Sequence, residues 1–408
     1  RGYTDKEIRS SIVKLKQSAN SLGGGLYNAN KEVYTFLRYG VNIQAEVTEK
    51  KKMVHLIDWA NPMENDFQIA EEVTIQGASD RRPDLVVYVN GIALAVIELK
   101  RSTVSAHEGI RQNIRNQQDG YIPRFFTTIQ LLFAGNDTEG LHYGVIKTPE
   151  KFWLRWKEPC GEPCQPSHFT AKEYPNELDR SVLQFFEPVR LLEYIHDFII
   201  FDGGIKKTAR PNQYFAVKAA QPRVRKKQNG IIWHSQGSGK SLTMVWLAQW
   251  IRENVSDARV VIITDRDELD KQIESGFKDV GEQIQRAKSG GKLIEMLNAA
   301  EPWLICTLIH KFGNKNDSDA ISVGNKKASK SLDLYLEELA KSLPADFCAK
   351  GNIYVFIDEC HRTQGGMLHE AMKHIMGNDV MLIGFTGTPL LHTDKKKSIE
   401  TFGSYIHS

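Results

Sequence analysis

The sequence has no long apolar run, few cysteines and little net charge. A membrane-spanning helix needs about 18 or more consecutive apolar residues, and the 408 residues contain no such run. Five cysteines do not make a disulfide framework in a chain of this length, which favours a reducing cytoplasm. A net charge of +3 does not by itself predict nucleic-acid binding. We therefore expect a soluble cytoplasmic protein with no membrane partner, whose function must be inferred from local motifs.

The composition is that of an ordinary folded protein, with 41% apolar and 25% charged residues. The length allows two or three domains. Five of the 14 prolines fall between residues 148 and 180, which indicates a boundary. We expect a first domain at residues 1–150, a linker at 151–185 and a second domain at 186–408. Cys160, Cys164 and His168 in the linker loosely resemble metal spacing, but a fourth ligand is not evident and loop thiols are favoured.

An apolar hairpin is expected in the first domain. Residues 84–90 and 92–99 have the composition of strands, and Asn90-Gly91 between them is a strong two-residue turn signal. The second strand is a continuous apolar run, which is typical of a central strand buried on both faces. Because side chains alternate along a strand, Glu98 and Lys100 should point to one face.

Asp84, Glu98 and Lys100 form a candidate hydrolytic site at the end of this hairpin. Burying two acids without partners is costly, and carboxylates are natural ligands of Mg²⁺. A metal-bound water loses its proton more easily and becomes a nucleophile, while Lys100 could orient that water or stabilise negative charge in the transition state. The alternative is a surface hairpin whose end charges form a salt bridge.

Pro83-Asp84 followed by Glu98-Leu99-Lys100 resembles the PD-(D/E)xK nuclease motif. The resemblance implies that Asp84 and Glu98 bind the metal and that Lys100 serves the attacking water. Many such folds also use a Glu on the first helix, and Glu32 is the best-placed candidate, with Glu46 and Glu72 as competitors.

Gln117 and Tyr121 resemble a Q-x-x-x-Y element found in several helicase-linked nucleases. The resemblance implies that they help to position DNA or the nuclease strands. The alternative is an ordinary helix end at Gly120.

The second domain opens with a short apolar strand, a glycine-rich loop and a helix. The loop residues of interest are Gly237, Ser238, Gly239, Lys240 and Ser241. Glycines let backbone N–H groups wrap a phosphate chain, and the helix N-terminus adds a favourable dipole. Lys240 would reach the β- and γ-phosphates, and the Ser241 hydroxyl would bind Mg²⁺. The usual pattern has Gly or Ala at position 234; His234 departs from it, and the sequence supplies no physical reason.

Polar residues also end two later apolar strands. Asp358 would hold Mg²⁺ through water, Glu359 would activate the attacking water, and Thr386 could sense the phosphate site. The alternative for the two acids is helix capping. Cys360 and His361 do not make a nucleophile pair, because adjacent side chains on a strand point apart.

These strings, together with the apolar strand from Val260 that ends in Thr264, Asp265 and Arg266, resemble motifs I, Ia, II and III of superfamily 2 helicases. Gln213, in Arg-Pro-Asn-Gln-Tyr, resembles a Q-type motif that would read the adenine edge and favour ATP. Thr307 and Lys311 resemble a DNA-backbone contact motif. The expected fold class is therefore α/β, with a mixed-sheet PD-(D/E)xK nuclease domain followed by a RecA-like P-loop ATPase lobe with a parallel sheet.

The order of these sites, nuclease first, resembles the R subunit of type I restriction–modification enzymes over about residues 25–395. The resemblance implies a type I site-specific deoxyribonuclease of the prokaryotic cytoplasm, with ATP and Mg²⁺ as cofactors. Its partners would be double-stranded DNA and the methyltransferase and specificity subunits.

Because the sequence ends just after motif III, we expect an N-terminal fragment without the second motor lobe. Such a fragment should bind ATP but hydrolyse it poorly, and translocation along DNA would need the full-length chain. Two alternatives remain open: a repair or type III-like helicase–nuclease, and an ATP-gated DNA-binding scaffold with an inactive nuclease.

Overall fold

Both halves of the chain form α/β structure. A computed structural model describes residues 2–44, 51–159, 176–264, 284–287, 290–308, 347, 349–360, 376–377, 379–387, 399 and 402–408. The chain divides into two units, Arg1–Pro211 and Asn212–Ser408. Within the described residues, no helix has the length and apolarity needed to cross a membrane.

The described helices of the first unit are α1 (Asp5–Asn20), α2 (Gly25–Tyr39), α3 (Ala106–Asn116), α4 (Glu177–Phe185) and α5 (Pro188–Asp197). Local sequence explains where two of them begin. Thr4 caps α1, its side chain accepting a hydrogen bond from the backbone of Glu7, whose carboxylate accepts one from Thr4 N. Pro188 occupies the first turn of α5, where its missing N–H costs nothing.

The described strands of the first unit are β1 (Val41–Ile43), β2 (Lys52–Val54), β3 (Phe67–Glu71), β4 (Leu85–Val89), β5 (Ile92–Leu99), β6 (Leu131–Asn136), β7 (Gly140–Gly144), β8 (Leu154–Arg155), β9 (Ile199–Asp202) and β10 (Ile205–Thr208). Strands β3 to β8 form one sheet in chain order, while β1–β2 and β9–β10 are two-stranded pairs.

The six-stranded sheet is mixed. All its pairs are antiparallel except β5–β6, which are parallel and are connected through α3. Asn90 and Gly91 both have positive φ, 52° and 75°, as a two-residue hairpin turn requires. Strand β5 is buried from Leu94 to Glu98, as expected for a central strand.

Residues beyond the expected first domain pack into the first unit. The rings of Phe185 on α4 and Tyr194 on α5 lie 5.4 and 6.0 Å from that of Tyr143 on β7. The Tyr143 hydroxyl also donates to Ala209 O at 2.8 Å. The units therefore divide after Pro211, later than the boundary expected at residue 186, because burial of these aromatic rings joins the helices to the first sheet.

The described helices of the second unit are α6 (Pro211–Arg225), which begins at the boundary, α7 (Lys240–Asn254) and α8 (Gly290–Asn298). The described strands are β11 (Gly230–Trp233), β12 (Ala258–Thr264), β13 (Gln285–Ala287), β14 (Leu304–Leu308), β15 (Asn352–Ile357), β16 (Met381–Thr386) and β17 (Tyr405–His407).

These seven strands form one parallel sheet in the order β13-β14-β12-β15-β16-β11-β17. Strands β12, β15 and β16 are buried almost throughout, which explains their continuous apolar sequences. The predicted fold class is confirmed: α/β, with a mixed sheet first and a parallel sheet second. In a parallel sheet the carboxyl ends of the strands meet at one edge, where such folds bind ligands.

Candidate nuclease and nucleotide sites

The β4–β5 hairpin brings Asp84, Glu98 and Lys100 together. Leu85 pairs with Ile97, so Asp84 and Glu98 lie one step further along the ladder, at its open end. The Lys100 Nζ is 3.8 Å from both Asp84 Oδ2 and Glu98 Oε2. The Leu99 N–H donates to Asp84 Oδ2 at 2.6 Å, which fixes that carboxylate at the strand end.

The carboxyl group of Glu98 is fully buried, whereas the Asp84 side chain is 36% exposed. The pKa of Glu98 is raised to about 8, first by burial and then by the negative charge of Asp84, which Lys100 offsets only in part. Without a bound cation this carboxyl is therefore largely protonated at neutral pH.

The two oxygens of Glu98 differ in their contacts within the described residues. Oε2 accepts a hydrogen bond from Gln112 Nε2 at 2.7 Å, while Oε1 is buried with no hydrogen-bond partner there. An orphaned buried oxygen beside a second carboxylate fits a hard divalent cation, whose ligands are oxygens. The residues present thus suit Mg²⁺, and Asp84 and Glu98 are the two that could bind it.

Gln112 is a site residue that the sequence reading missed. It lies on α3, which packs closely on β5: a Cβ added to Gly109 would lie 3.1 Å from the Glu98 carbonyl oxygen. The signal in the sequence is Gly109, a glycine within the helix that follows the strand of Glu98, with the polar Gln112 three positions later.

Gln117 and Tyr121 make contacts within the protein. The Gln117 side chain donates to Asn113 O at 3.0 Å and accepts from Lys147 N at 2.7 Å. The Arg81 guanidinium lies 4.3 Å from the ring centroid of Tyr121. Their DNA-positioning role stays a prediction.

The structure describes two of the three other glutamates that the sequence suggested. Glu32 is on an exposed face of α2, Glu72 pairs with Arg82 at 3.3 Å, and Glu46 is not among the described residues. The linker residues Cys160, Cys164 and His168 are also outside them.

The glycine loop of the second unit connects β11 to α7. Gly237 and Gly239 have φ of 79° and 85°, a left-handed conformation that side chains disfavour. Ser238 lies between them with a buried hydroxyl that has no hydrogen-bond partner among the described residues. Lys240 and Ser241 then begin the helix, so the loop amides and the helix N-terminus share one end of the unit.

The Lys240 side chain reaches the ends of two neighbouring strands. Its Nζ is 3.7 Å from Glu359 Oε1. A Cβ added to Gly387 would lie 2.7 Å from the same Nζ. Asp358 and Thr386 are buried at the carboxyl ends of β15 and β16. Glu359 itself has φ of 47°, a strained conformation of the kind found at functional sites.

Gln213 touches the glycine loop directly. Its Nε2 donates to Gly239 O at 2.8 Å and to Ser238 O at 3.2 Å. Adenine reading by this side chain stays a prediction. Thr307 is buried near the end of β14, and its hydroxyl has no hydrogen-bond partner in the part described; its DNA contact is likewise a prediction, and Lys311 lies outside the described residues.

Cys360 is buried, and burial raises the pKa of its thiol. A protonated, inaccessible thiol is a poor nucleophile, in keeping with the rejection of the Cys360–His361 pair from sequence. His361 is not among the described residues.

Two stretches of the chain match known protein families. Residues 3–151 match the family model described as the type I restriction enzyme R protein N terminus, and residues 212–408 match that of the SWI2/SNF2 ATPase. The chain is 27% identical to the MjaIXP endonuclease subunit of Methanocaldococcus jannaschii, over 97% of this chain and 38% of that protein. The chain is thus similar in sequence to type I restriction enzyme endonuclease subunits. The resemblance inferred from the motifs is thereby confirmed.

A second endonuclease-subunit homologue gives the same result. The type I restriction enzyme SsaAORF53P endonuclease subunit of Staphylococcus saprophyticus is 26% identical over 99% of this chain and 40% of its own length. The chain thus spans about two fifths of the length of these type I relatives. The UvsW helicase from bacteriophage T4 is a weak structural match, with a TM-score of 0.32 and 16% identity over 51% of this chain and 62% of that one.

Proposed function

We propose that the chain is part of an ATP-dependent type I restriction endonuclease subunit. In this proposal a nuclease domain within residues 1–150 hydrolyses DNA phosphodiesters with Mg²⁺, and a RecA-like lobe in the second unit binds ATP and Mg²⁺. The full-length protein would couple ATP hydrolysis to translocation on double-stranded DNA. It would work with methyltransferase and specificity subunits in a prokaryotic cytoplasm.

The observation that carries the nuclease proposal is the buried, orphaned Oε1 of Glu98 beside Asp84 and Lys100. The ion pair with Lys100 does not satisfy this oxygen. The Lys100 Nζ lies 3.8 Å from Asp84 Oδ2 and from Glu98 Oε2, beyond hydrogen-bond range. Without a cation this buried carboxyl takes up a proton, and a divalent cation held by the two acids would replace that proton.

At the nuclease site each side chain has a distinct task. Asp84 and Glu98 would hold Mg²⁺, which supplies an acidified water and neutralises charge on the scissile phosphate. Gln112 keeps Glu98 Oε2 oriented through its hydrogen bond. The Lys100 ammonium group, close to both acids, would position the attacking water and stabilise the negative charge that develops on the phosphate oxygens.

At the nucleotide site Lys240 would exchange its contact with Glu359 for the β- and γ-phosphates. Glu359, released from the lysine, would then be free to activate the attacking water. Ser241 and Asp358 would hold Mg²⁺, Thr386 would sense the phosphates, and Gln213 would brace the loop and read the adenine.

The test is restriction of unmodified phage by cells that carry the full-length protein and its partner subunits. We expect Glu98→Gln and Lys240→Ala each to abolish restriction. Glu108→Gln is the matched control, because Glu108 is an exposed carboxylate on α3 that pairs with Arg111 at 2.7 Å; it should restrict like the wild type. Full restriction by Glu98→Gln would refute the nuclease assignment. Absence of restriction in the wild type would favour a repair helicase–nuclease instead.

A further inference from the structure

The last strand of the second sheet is tightly docked on the strand that leads into the glycine loop. Strand β17 pairs in parallel with β11, and Ile231 N donates to Ser404 O at 3.2 Å. Gly230 makes the close approach possible, because a Cβ there would lie 2.3 Å from Ile406 Cγ1. The edge of the sheet beside the loop is therefore closely packed.

At the end of the β11–β17 pair nearest the glycine loop, two histidine side chains are in contact. His234 Nε2 lies 3.3 Å from His407 Nδ1, with the rings nearly perpendicular and their centroids 5.3 Å apart. His234 N also donates to Thr386 O at 3.1 Å. The first residue of the loop is thus held between the ends of β16 and β17.

The environment keeps the buried His234 ring neutral. The pKa of His234 is lowered to about 4, chiefly by burial and in smaller part by positive charge on His407 and Lys240. A neutral imidazole carries one N–H and one lone pair, so the two rings can share one hydrogen bond. A glycine or alanine at position 234 could not make this contact, which gives a physical reason for a histidine there.

We propose that the His234–His407 pair is a latch through which β17 positions the glycine loop for a nucleoside triphosphate. The proposal rests on the nucleotide binding proposed above. Because coupling between two sites is reciprocal, docking of β17 should strengthen nucleotide binding, and bound nucleotide should hold β17 more firmly on β11. In this account both histidines are positioning residues, since they act through the loop backbone.

The test compares variants of the full chain in two measurements. The first is the affinity for a fluorescent ATP analogue in the presence of Mg²⁺. The second is amide hydrogen exchange of residues 403–407 with and without ATP. We expect His407→Ala to weaken binding by about two- to tenfold, the worth of one neutral hydrogen bond. It should also lose the slowing of exchange in β17 that ATP causes in the wild type. His407→Gln, whose amide can still donate and accept, should recover part of both effects.

Arg223→Ala is the matched control. The Arg223 guanidinium donates to Ser404 Oγ at 2.8 Å, so this change removes one contact of the same strand segment at the end away from the loop. Its affinity should stay within about twofold of the wild type, because the histidine pair is intact.

Three outcomes would overturn the latch. If the wild type binds the analogue and His407→Ala binds it equally well, the latch fails while nucleotide binding stands. If Arg223→Ala and His407→Ala weaken binding to the same extent, general docking of the strand, and not the histidine pair, positions the loop. If the wild type binds no nucleotide, the proposed nucleotide site fails and the latch with it.

Discussion

Replacing Lys206 by methionine should remove a pH dependence from the stability of the first unit. Lys206 lies on β10 and is buried. Its Nζ donates to Asn30 Oδ1 at 2.8 Å and to Gln130 Oε1 at 2.6 Å, and it lies 5.3 Å from the ring centroid of Phe201. Its described contacts are thus with neutral acceptors and an aromatic ring. Burial lowers the pKa of the amine well below its ordinary value.

The sign of the effect follows from proton linkage. At pH values below the folded-state pKa both states carry the proton, and the folded state bears the cost of the buried charge. As pH rises from the folded-state pKa towards the unfolded value of about 10.4, the unfolded state holds more proton, so the free energy of unfolding increases. Each unit of depression contributes about 1.4 kcal/mol over that interval.

Methionine in place of Lys206 fills similar space without a charge. It leaves the oxygens of Asn30 and Gln130 without this donor, at a cost of about 1–3 kcal/mol each that does not vary with pH. The absolute stability of the variant is therefore less informative than its pH dependence.

The assay is urea unfolding followed by tryptophan fluorescence between pH 7 and 10. The wild type should gain stability relative to Lys206→Met over this range, by about 1.4 kcal/mol for each unit of pKa depression that falls within it. Titrations common to both proteins cancel in the difference. Lys207→Met is the control, because Lys207 is the next residue on β10 and pairs with Asp202. Parallel pH curves for the wild type and Lys206→Met would refute the reasoning.

Two further predictions concern the candidate nuclease site and its surroundings. Because the pKa of Glu98 is raised to about 8, a proton competes with Mg²⁺ below that pH; calorimetric titration should show Mg²⁺ affinity rising from pH 6.5 to about 8, and Glu98→Gln should bind weakly with little pH dependence. Tight binding by that variant would contradict the assignment. Gly77→Ala should lower the free energy of unfolding by roughly 1–3 kcal/mol, because its Cβ would lie 2.3 Å from the Tyr121 carbonyl oxygen. In urea unfolding, Gly120→Ala is the control, since its Cβ would meet nothing within 4 Å; equal losses from both changes would contradict the steric explanation.

The sequence was most informative where local geometry determines structure. Asn90-Gly91 needs positive φ at both positions, so the hairpin followed from two residues. The alternation of side chains along β5 then put Glu98 and Lys100 on one side. The glycine loop was equally predictable from the sequence, because Gly237 and Gly239 adopt conformations that few other residues tolerate.

Contacts between distant parts of the chain were beyond such reasoning. Gln112 reaches Glu98 only because α3 crosses back over the sheet, a geometry that spacing along the sequence does not define. The sequence likewise does not tell which lysine of Lys206-Lys207 is buried, since that depends on Asn30, 176 residues away. The same holds for α4 and α5: aromatic packing joins them to the first unit, and the cluster of prolines before them does not reveal this.

The short strand β17 also has a bearing on solubility. It covers the side of β11 that β16 leaves open, so the apolar pair Ile231-Ile232 is not an edge. Unpaired strand edges are templates for pairing with other chains. In a version of this protein that ends before residue 403, the backbone amide and carbonyl groups of β11 on this side would be unpaired. We expect such a version to self-associate. For anyone preparing the second unit by itself, those last few residues are the ones to retain.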